Sequence, residues 1–140
     1  DALRYYNEVI ANDKANLAAL YNKAIVKSAL GELQESTSIY NQLLKVEDDE
    51  LLKNSIDKAD IKNDIFDNKL KIADEYLAKG ENKKAKAAYS ALLEYGDDYR
   101  VYLGLADSSF NLGMYTYAKN YYEQAIQLDD VNSDALSRLI

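Results

Sequence analysis

The chain has 140 residues, 48% hydrophobic and 29% charged, with 17 basic against 24 acidic side chains and a formal net charge of −7. Histidine and cysteine are absent, which excludes disulfides, thiolate nucleophiles, imidazole-assisted serine chemistry and ordinary zinc sites. The acidic balance disfavours nucleic acid, whose binding draws on clustered Lys and Arg, and no apolar run approaches the roughly 18 residues of a membrane span.

Proline is also missing and only five glycines occur, so few residues break helices and an all-α chain is expected. From the N-terminus, Ala2, Tyr6, Val9 and Ile10 follow the spacing of a helix with one apolar face. The same order of residues then returns around three glycines, Gly31, Gly80 and Gly113. Seven residues before each glycine stands an alanine: Ala24, Ala73 and Ala106. Nine after each stands a tyrosine (Tyr40, Tyr89 and Tyr122), preceded four residues earlier by a small residue (Ser36, Ala85 and Ala118). Apolar pairs follow each tyrosine: Leu43–Leu44, Leu92–Leu93 and Ala125–Ile126. Each copy reads as two helices joined at the glycine, which takes the left-handed cap at little cost. A further copy begins with Ala135, Leu136 and Leu139.

Gly80 and Gly113 are 33 residues apart, whereas Gly31 and Gly80 are 49 apart, so about fifteen residues lie between the first two copies beyond the repeat period. This stretch is acidic, and it holds neither glycine nor proline. Leu52, Ile56, Ala59, Asn63, Phe66, Leu70, Ala73 and Leu77 alternate steps of four and three. That stripe predicts helix throughout, as one rod or as two pieces broken near Asn63–Asp64. The acids Glu47 to Glu50 lack the loop-closing glycine of a calcium site and suit a helix N-terminus instead. Lys83, Lys84 and Lys86 form the one basic cluster, read as a solvated helix face.

A 34-residue helix–turn–helix with small, aromatic and apolar residues in this order resembles the tetratricopeptide repeat. The resemblance implies an all-α fold, an α-α superhelix built as a right-handed solenoid of antiparallel helix pairs. The organisation it suggests is a second helix of a preceding repeat at 1–16, repeats at 17–48, 66–98 and 99–132, a helical insertion at 49–65, and the start of another repeat at 133–140. Both ends then fall inside a repeat, the expectation for a piece of a longer protein. The family's frequent proline at the repeat end is replaced here by Asp48, Asp97 and Asp130, which are expected to cap the next helix.

The resemblance further implies a non-enzymatic scaffold without cofactor or metal. It would bind a protein helix or extended peptide on the concave face, lined by the first helix of each pair. The candidate residues on that face are Tyr21, Asn22, Ile25, Leu70, Lys71, Asp74, Arg100, Leu103, Asp107 and Phe110. The lysine–asparagine pair by which one subclass grips a C-terminal carboxylate is missing. Its places hold Tyr21 and Ile25, then Leu70 and Asp74, then Leu103 and Asp107, although Asn22 and Arg138 occupy compatible columns. Asp74 and Asp107 would repel a carboxylate, so the expected partner carries basic and apolar residues and is not nucleic acid. Two alternatives stay open: an architectural or self-associating segment, and an accessory domain of an enzyme whose catalytic part lies elsewhere. Tyr117 and Tyr121 sit one turn apart on a second helix and mark the opposite face.

Overall fold

The computed structural model describes residues 16–128. The half-repeat at Ala2–Ile10, the further repeat at Ala135–Leu139, and with them Asp130 and Arg138, lie outside the described residues. All regular structure among the described residues is helical: α1 (Leu17–Ala29), α2 (Leu33–Leu44), α3 (Asp48–Lys53), α4 (Lys58–Ala78), α5 (Asn82–Leu92) with a 3-10 turn at Leu93–Tyr95, α6 (Tyr99–Asn111) and α7 (Tyr115–Leu128). The chain divides into two compact units, Asp1–Lys69 and Leu70–Ile140, the division falling inside α4.

The glycine turns behave as their spacing predicts. Gly31, Gly80 and Gly113 have φ of 82°, 79° and 79°, a region that a Cβ makes costly. After each glycine the next amide reaches back five residues, from Glu32 to the Lys27 carbonyl, from Glu81 to Tyr76 and from Met114 to Ser109, at 2.8–2.9 Å. This satisfies a carbonyl that the ended helix would otherwise orphan. Helix starts are capped less uniformly. Asn16 accepts from the Ala19 amide at 2.8 Å to open α1. The cap of α6 is Asp98, which accepts from the Arg100 amide at 2.9 Å, and not Asp97; that carboxylate takes the Tyr102 hydroxyl instead. Nor does Asp48 cap α3. Glu47 stands at the cap, and Asp48 pairs with Lys58 at 2.6 Å.

In the first unit α1 packs on α2. Ala24, Ile39, Tyr40 and Leu43 form one core with Leu51 of α3, Ile56 of the following turn and Ile61 and Ile65 of α4. The stretch between the first two glycine turns is therefore helical on both sides of a break. The break falls at Asn54–Asp57, not near Asn63–Asp64, and it resets the phase of the apolar stripe. Leu52 is 60% exposed and Ala59 and Asn63 are exposed, whereas Leu51, Ile61 and Ile65 are buried. Ser55 explains the break. Its φ is 60°, and the Ile56 amide reaches back to the Leu51 carbonyl at 2.9 Å. This is the closure seen after the three glycines, made here by a serine. Asp57 then accepts from the Ala59 amide at 2.8 Å to start α4.

The core of this unit carries a polar seam. Asn68 of α4 is 2% exposed. Its amide donates to Ser36 Oγ at 3.0 Å and Thr37 Oγ1 at 3.3 Å, and its oxygen accepts from Ser28 at 2.7 Å. Ser36 donates in turn to the Ala24 carbonyl at 2.7 Å. One buried amide thus ties α4 to both α1 and α2, which makes sliding of α4 costly because each displaced group would stay buried and unpaired.

In the second unit α6 packs on both α5 and α7, around Ala73, Ala85, Tyr89, Leu92, Val101, Leu105, Ala106, Ala118, Tyr122 and Ala125. The small residues set the helix spacing. Gly104 on α6 is the tightest point, since a Cβ there would fall onto the Tyr89 ring.

Two substitutions test this packing. Ser55→Gly relieves the left-handed serine and is expected to stabilise the chain by about 0.5–1 kcal/mol in denaturant titration. Gly104→Ala should destabilise by about 1–3 kcal/mol, because overpacking against Tyr89 outweighs the roughly 1 kcal/mol that alanine gains as a helix former. A more stable alanine variant would contradict the contact.

Candidate functional site

In the second unit, the candidate residues lie on the later part of α4 and on α6. Asp74 accepts a hydrogen bond from the Tyr89 hydroxyl, and Asp107, one repeat later, accepts from the Tyr122 hydroxyl at 2.6 Å. The rings of Tyr89 and Tyr122 are 1% and 6% exposed, so each tyrosine anchors its ring in the core and holds an aspartate at the surface. The Tyr89 hydroxyl is pushed well above its usual range, first by burial, then by the hydrogen bond and charge of Asp74 and by the charge of Asp107.

Other candidates are placed differently from one another. Leu70 was expected at the surface; it is 7% exposed and belongs to the core, so it can only back the face. Leu103 is half-buried against Ala106, Ala118 and Tyr122. Phe110 is 53% exposed and meets the Tyr115 ring edge-on at 5.2 Å. Lys71 is exposed. Arg100 binds Asp98 through Nε at 3.1 Å and Nη2 at 2.9 Å, and this guanidinium holds the Asp98 carboxyl below the usual range.

In the first unit, Tyr21 and Asn22 are half-buried and Ile25 is 43% exposed. Tyr21 meets Tyr40 edge-on at 6.0 Å. Ile25 stands fifteen residues before Tyr40, where the other two copies have aspartate. The acceptor for Tyr40 is supplied instead by Asp64 of α4. Burial raises the Asp64 carboxyl above its ordinary value; the Tyr40 hydrogen bond opposes this, and Asp67 and Asp60 add to it. Sequence reasoning missed this acid and the tyrosine tethers. The fifteen-residue interval from Asp74 to Tyr89 and from Asp107 to Tyr122 is the signal that could have found the latter.

The remaining surface groups are largely engaged. Lys84 lies over the Tyr76 ring at 5.8 Å, and Lys86 lies over Tyr117 at 5.4 Å while reaching Met114 Sδ at 3.4 Å. Tyr121 is half-buried and packs on Tyr102 at 6.3 Å. Among the described residues no cluster of three or more His, Cys, Asp and Glu could hold a metal ion, and no helix is long and apolar enough to cross a membrane.

Residues 99–132 match the family model described as tetratricopeptide repeat. Residues 99–132 thus carry a tetratricopeptide repeat. The fold of the chain is similar to that of a solved structure titled MamA RS-1 ArsTM double mutant, with 18% identity and a TM-score of 0.58 over 98% of this chain and 69% of that one. A second, MamA 41-end from Desulfovibrio magneticus RS-1, is 19% identical, with a TM-score of 0.57 over 98% of this chain and 70% of that one. No curated protein matches the chain.

Asp64 yields a pH prediction with a definite sign. Its folded value lies above the unfolded one, so between the two the folded state binds more protons and stability rises as pH falls. Asp64→Asn keeps an acceptor for Tyr40 and removes the charge. The variant should be the more stable at pH 7, with its advantage shrinking as pH falls to about 4. Urea titrations at the two pH values check this. A variant less stable at pH 7 would contradict the assignment.

Proposed function

We propose that the tetratricopeptide array, with repeats at 17–48, 66–98 and 99–132, is a protein–protein interaction scaffold. Its partner is a helix or extended segment carrying Lys or Arg between apolar anchors, accepted on the face lined by the first helix of each pair. The observation that carries the reading is the tethering of Asp74 and Asp107 by Tyr89 and Tyr122, beside Leu103 and Phe110. A carboxylate has about four lone-pair sites, so the Tyr89 hydroxyl leaves capacity on Asp74 for an incoming cation. Because buried rings hold the acids, little side-chain freedom is lost on binding. Apolar contact would supply most of the affinity, and the acids would set register and partner choice.

The test begins by capturing the natural partner with the whole chain and measuring its affinity for Asp74→Asn/Asp107→Asn, which preserves both tyrosine acceptors. Binding should weaken at least about tenfold and become less sensitive to salt. Unchanged affinity, together with a loss on Tyr117→Ala, would put the partner on the other face.

A further inference from the structure

We propose that the edge of the second unit at which its helix pairs turn, around Gly80 and Gly113, is a docking surface for an acidic peptide segment with an apolar anchor. The inference goes beyond the scaffold reading. It uses neither Asp74 nor Asp107, and it calls for a partner of the opposite charge.

Two contacts join the turns into one surface. Asn111 donates to Asn82 Oδ1 at 3.1 Å, and Lys86 Nζ reaches Met114 Sδ at 3.4 Å. A cavity of about 340 Å³ lies on this edge, lined by Gly80, Glu81, Asn82, Lys83, Lys84 and Leu112. Gly80 belongs to one turn and Leu112 to the other, so the cavity spans both. The lysine stems add hydrocarbon to its wall while their ammonium groups stay in water. Its volume is at the small end of ligand pockets, about 300–1,000 Å³, which is room for one large apolar side chain and not for a whole helix.

Beside the cavity, the start of α7 exposes aromatic rings. Tyr115 is 63% exposed and Tyr117 is 56% exposed. Neither fills the core, where α7 places Tyr122 instead. Tyr117 lies under the Lys86 ammonium at 5.4 Å, and Met114 is half-buried next to it. Tyrosine and methionine are the side chains in which interfaces are enriched, and a surface serving only to face water has no use for two such rings.

Charge then selects the partner. The chain as a whole carries −7, yet the first turns of α5 hold Lys83, Lys84 and Lys86 against Glu81. Lys27, Lys53, Lys58 and Arg100 each pair with a carboxylate. Among the described residues these three lysines do not: Lys84 lies over the Tyr76 ring at 5.8 Å, and Lys86 lies over Tyr117. A ring face leaves the positive charge in place, so an incoming carboxylate still gains from it. The start of α5 also lacks a side-chain cap, and its amides add positive potential. Asp or Glu flanking the anchor meets these groups, whereas Lys or Arg there is rejected.

The experiment uses the whole chain, labelled with 15N, and a fluorescent synthetic peptide of about twelve residues, long enough to cross the edge when extended. The peptide has a central Phe-Leu pair with glutamates on both sides, and a lysine-flanked version is the control. The glutamate peptide should bind, with amide shifts centred on Gly80, Asn82, Leu112, Met114 and Tyr117, and the lysine peptide should leave these amides unmoved. General attraction to an acidic chain gives the reverse order, and that result would overturn the proposal. Lys83→Gln/Lys84→Gln/Lys86→Gln should weaken binding at least about tenfold, and Tyr117→Ala should weaken it severalfold. Lys45→Gln/Lys53→Gln/Lys62→Gln makes the same change in net charge at other exposed positions and should leave affinity nearly unchanged. An equal loss in that variant would overturn the assignment to this edge. Replacing Phe-Leu by Ser-Ser in the peptide should weaken binding at least about tenfold; undiminished binding would overturn the anchor. Phosphatidylserine vesicles that bind and shift this edge when the peptide does not would reassign it to a lipid surface and overturn the proposal. Absence of shifts here with either peptide would overturn it too, and leaves the natural-partner test of Asp74 and Asp107 unaffected.

Discussion

A buried tyrosine ring whose hydroxyl must find an acceptor organises this array. Burying such a ring contributes about 1.5–3 kcal/mol, while leaving its hydroxyl unpaired in the interior costs about 1–3 kcal/mol. Tyr40, Tyr89 and Tyr122 meet both demands by ending at a carboxylate, on Asp64, Asp74 and Asp107 respectively. The ring's packing thus decides where the acid stands. Gly104 shows how little tolerance there is, since the Tyr89 ring occupies the space where a Cβ would be. The feature offered to a partner, a fixed surface charge, is a by-product of filling the core.

That coupling explains what could be read from the sequence. The glycine turns, tyrosine columns and small-residue columns recur, and the helix pairs around them follow from helical spacing and capping. The acids Asp74 and Asp107 could also be placed on the first helices. Their tethering could not, because a hydrogen bond to a tyrosine fifteen residues away joins two helices, and a column comparison treats each position alone. Leu70 fails for a related reason: the column puts it on the exposed side, but packing buries it to 7%. The break after α3 was hidden differently. Its left-handed residue is Ser55, so the turn is made without the glycine that marks the three turns within helix pairs. Once the phase was assumed continuous, Leu52, Ala59 and Asn63 took the places that Leu51, Ile61 and Ile65 fill.

Asn68 accounts for the position of α4 in the first unit. Apolar rows on neighbouring helices fit nearly as well when one slides by a turn, because Ile, Leu and Ala contacts have no direction. An amide with partners on Ser28, Ser36 and Thr37 has one satisfactory register, and a shift would leave several polar groups buried and unpaired. The seam thereby fixes where Asp64 comes to lie, four residues earlier on the same helix. Register and acid placement are one constraint expressed at two positions.

The first unit then meets the tyrosine's demand by a different route. Where the other copies spend a position of their own first helix on the acid, here that position holds Ile25, and α4 provides Asp64. An exchange of this kind conserves the interaction and redistributes the surface. The column on α1 becomes apolar, and the carboxylate moves to a helix that carries Asp60 and Asp67 beside it. A combination of acid and apolar residue, divided in the second unit between Asp107 and Phe110 on one helix, is in the first unit divided between two helices. The added residues between the first two glycine turns thus change what the array displays while leaving its core rule intact.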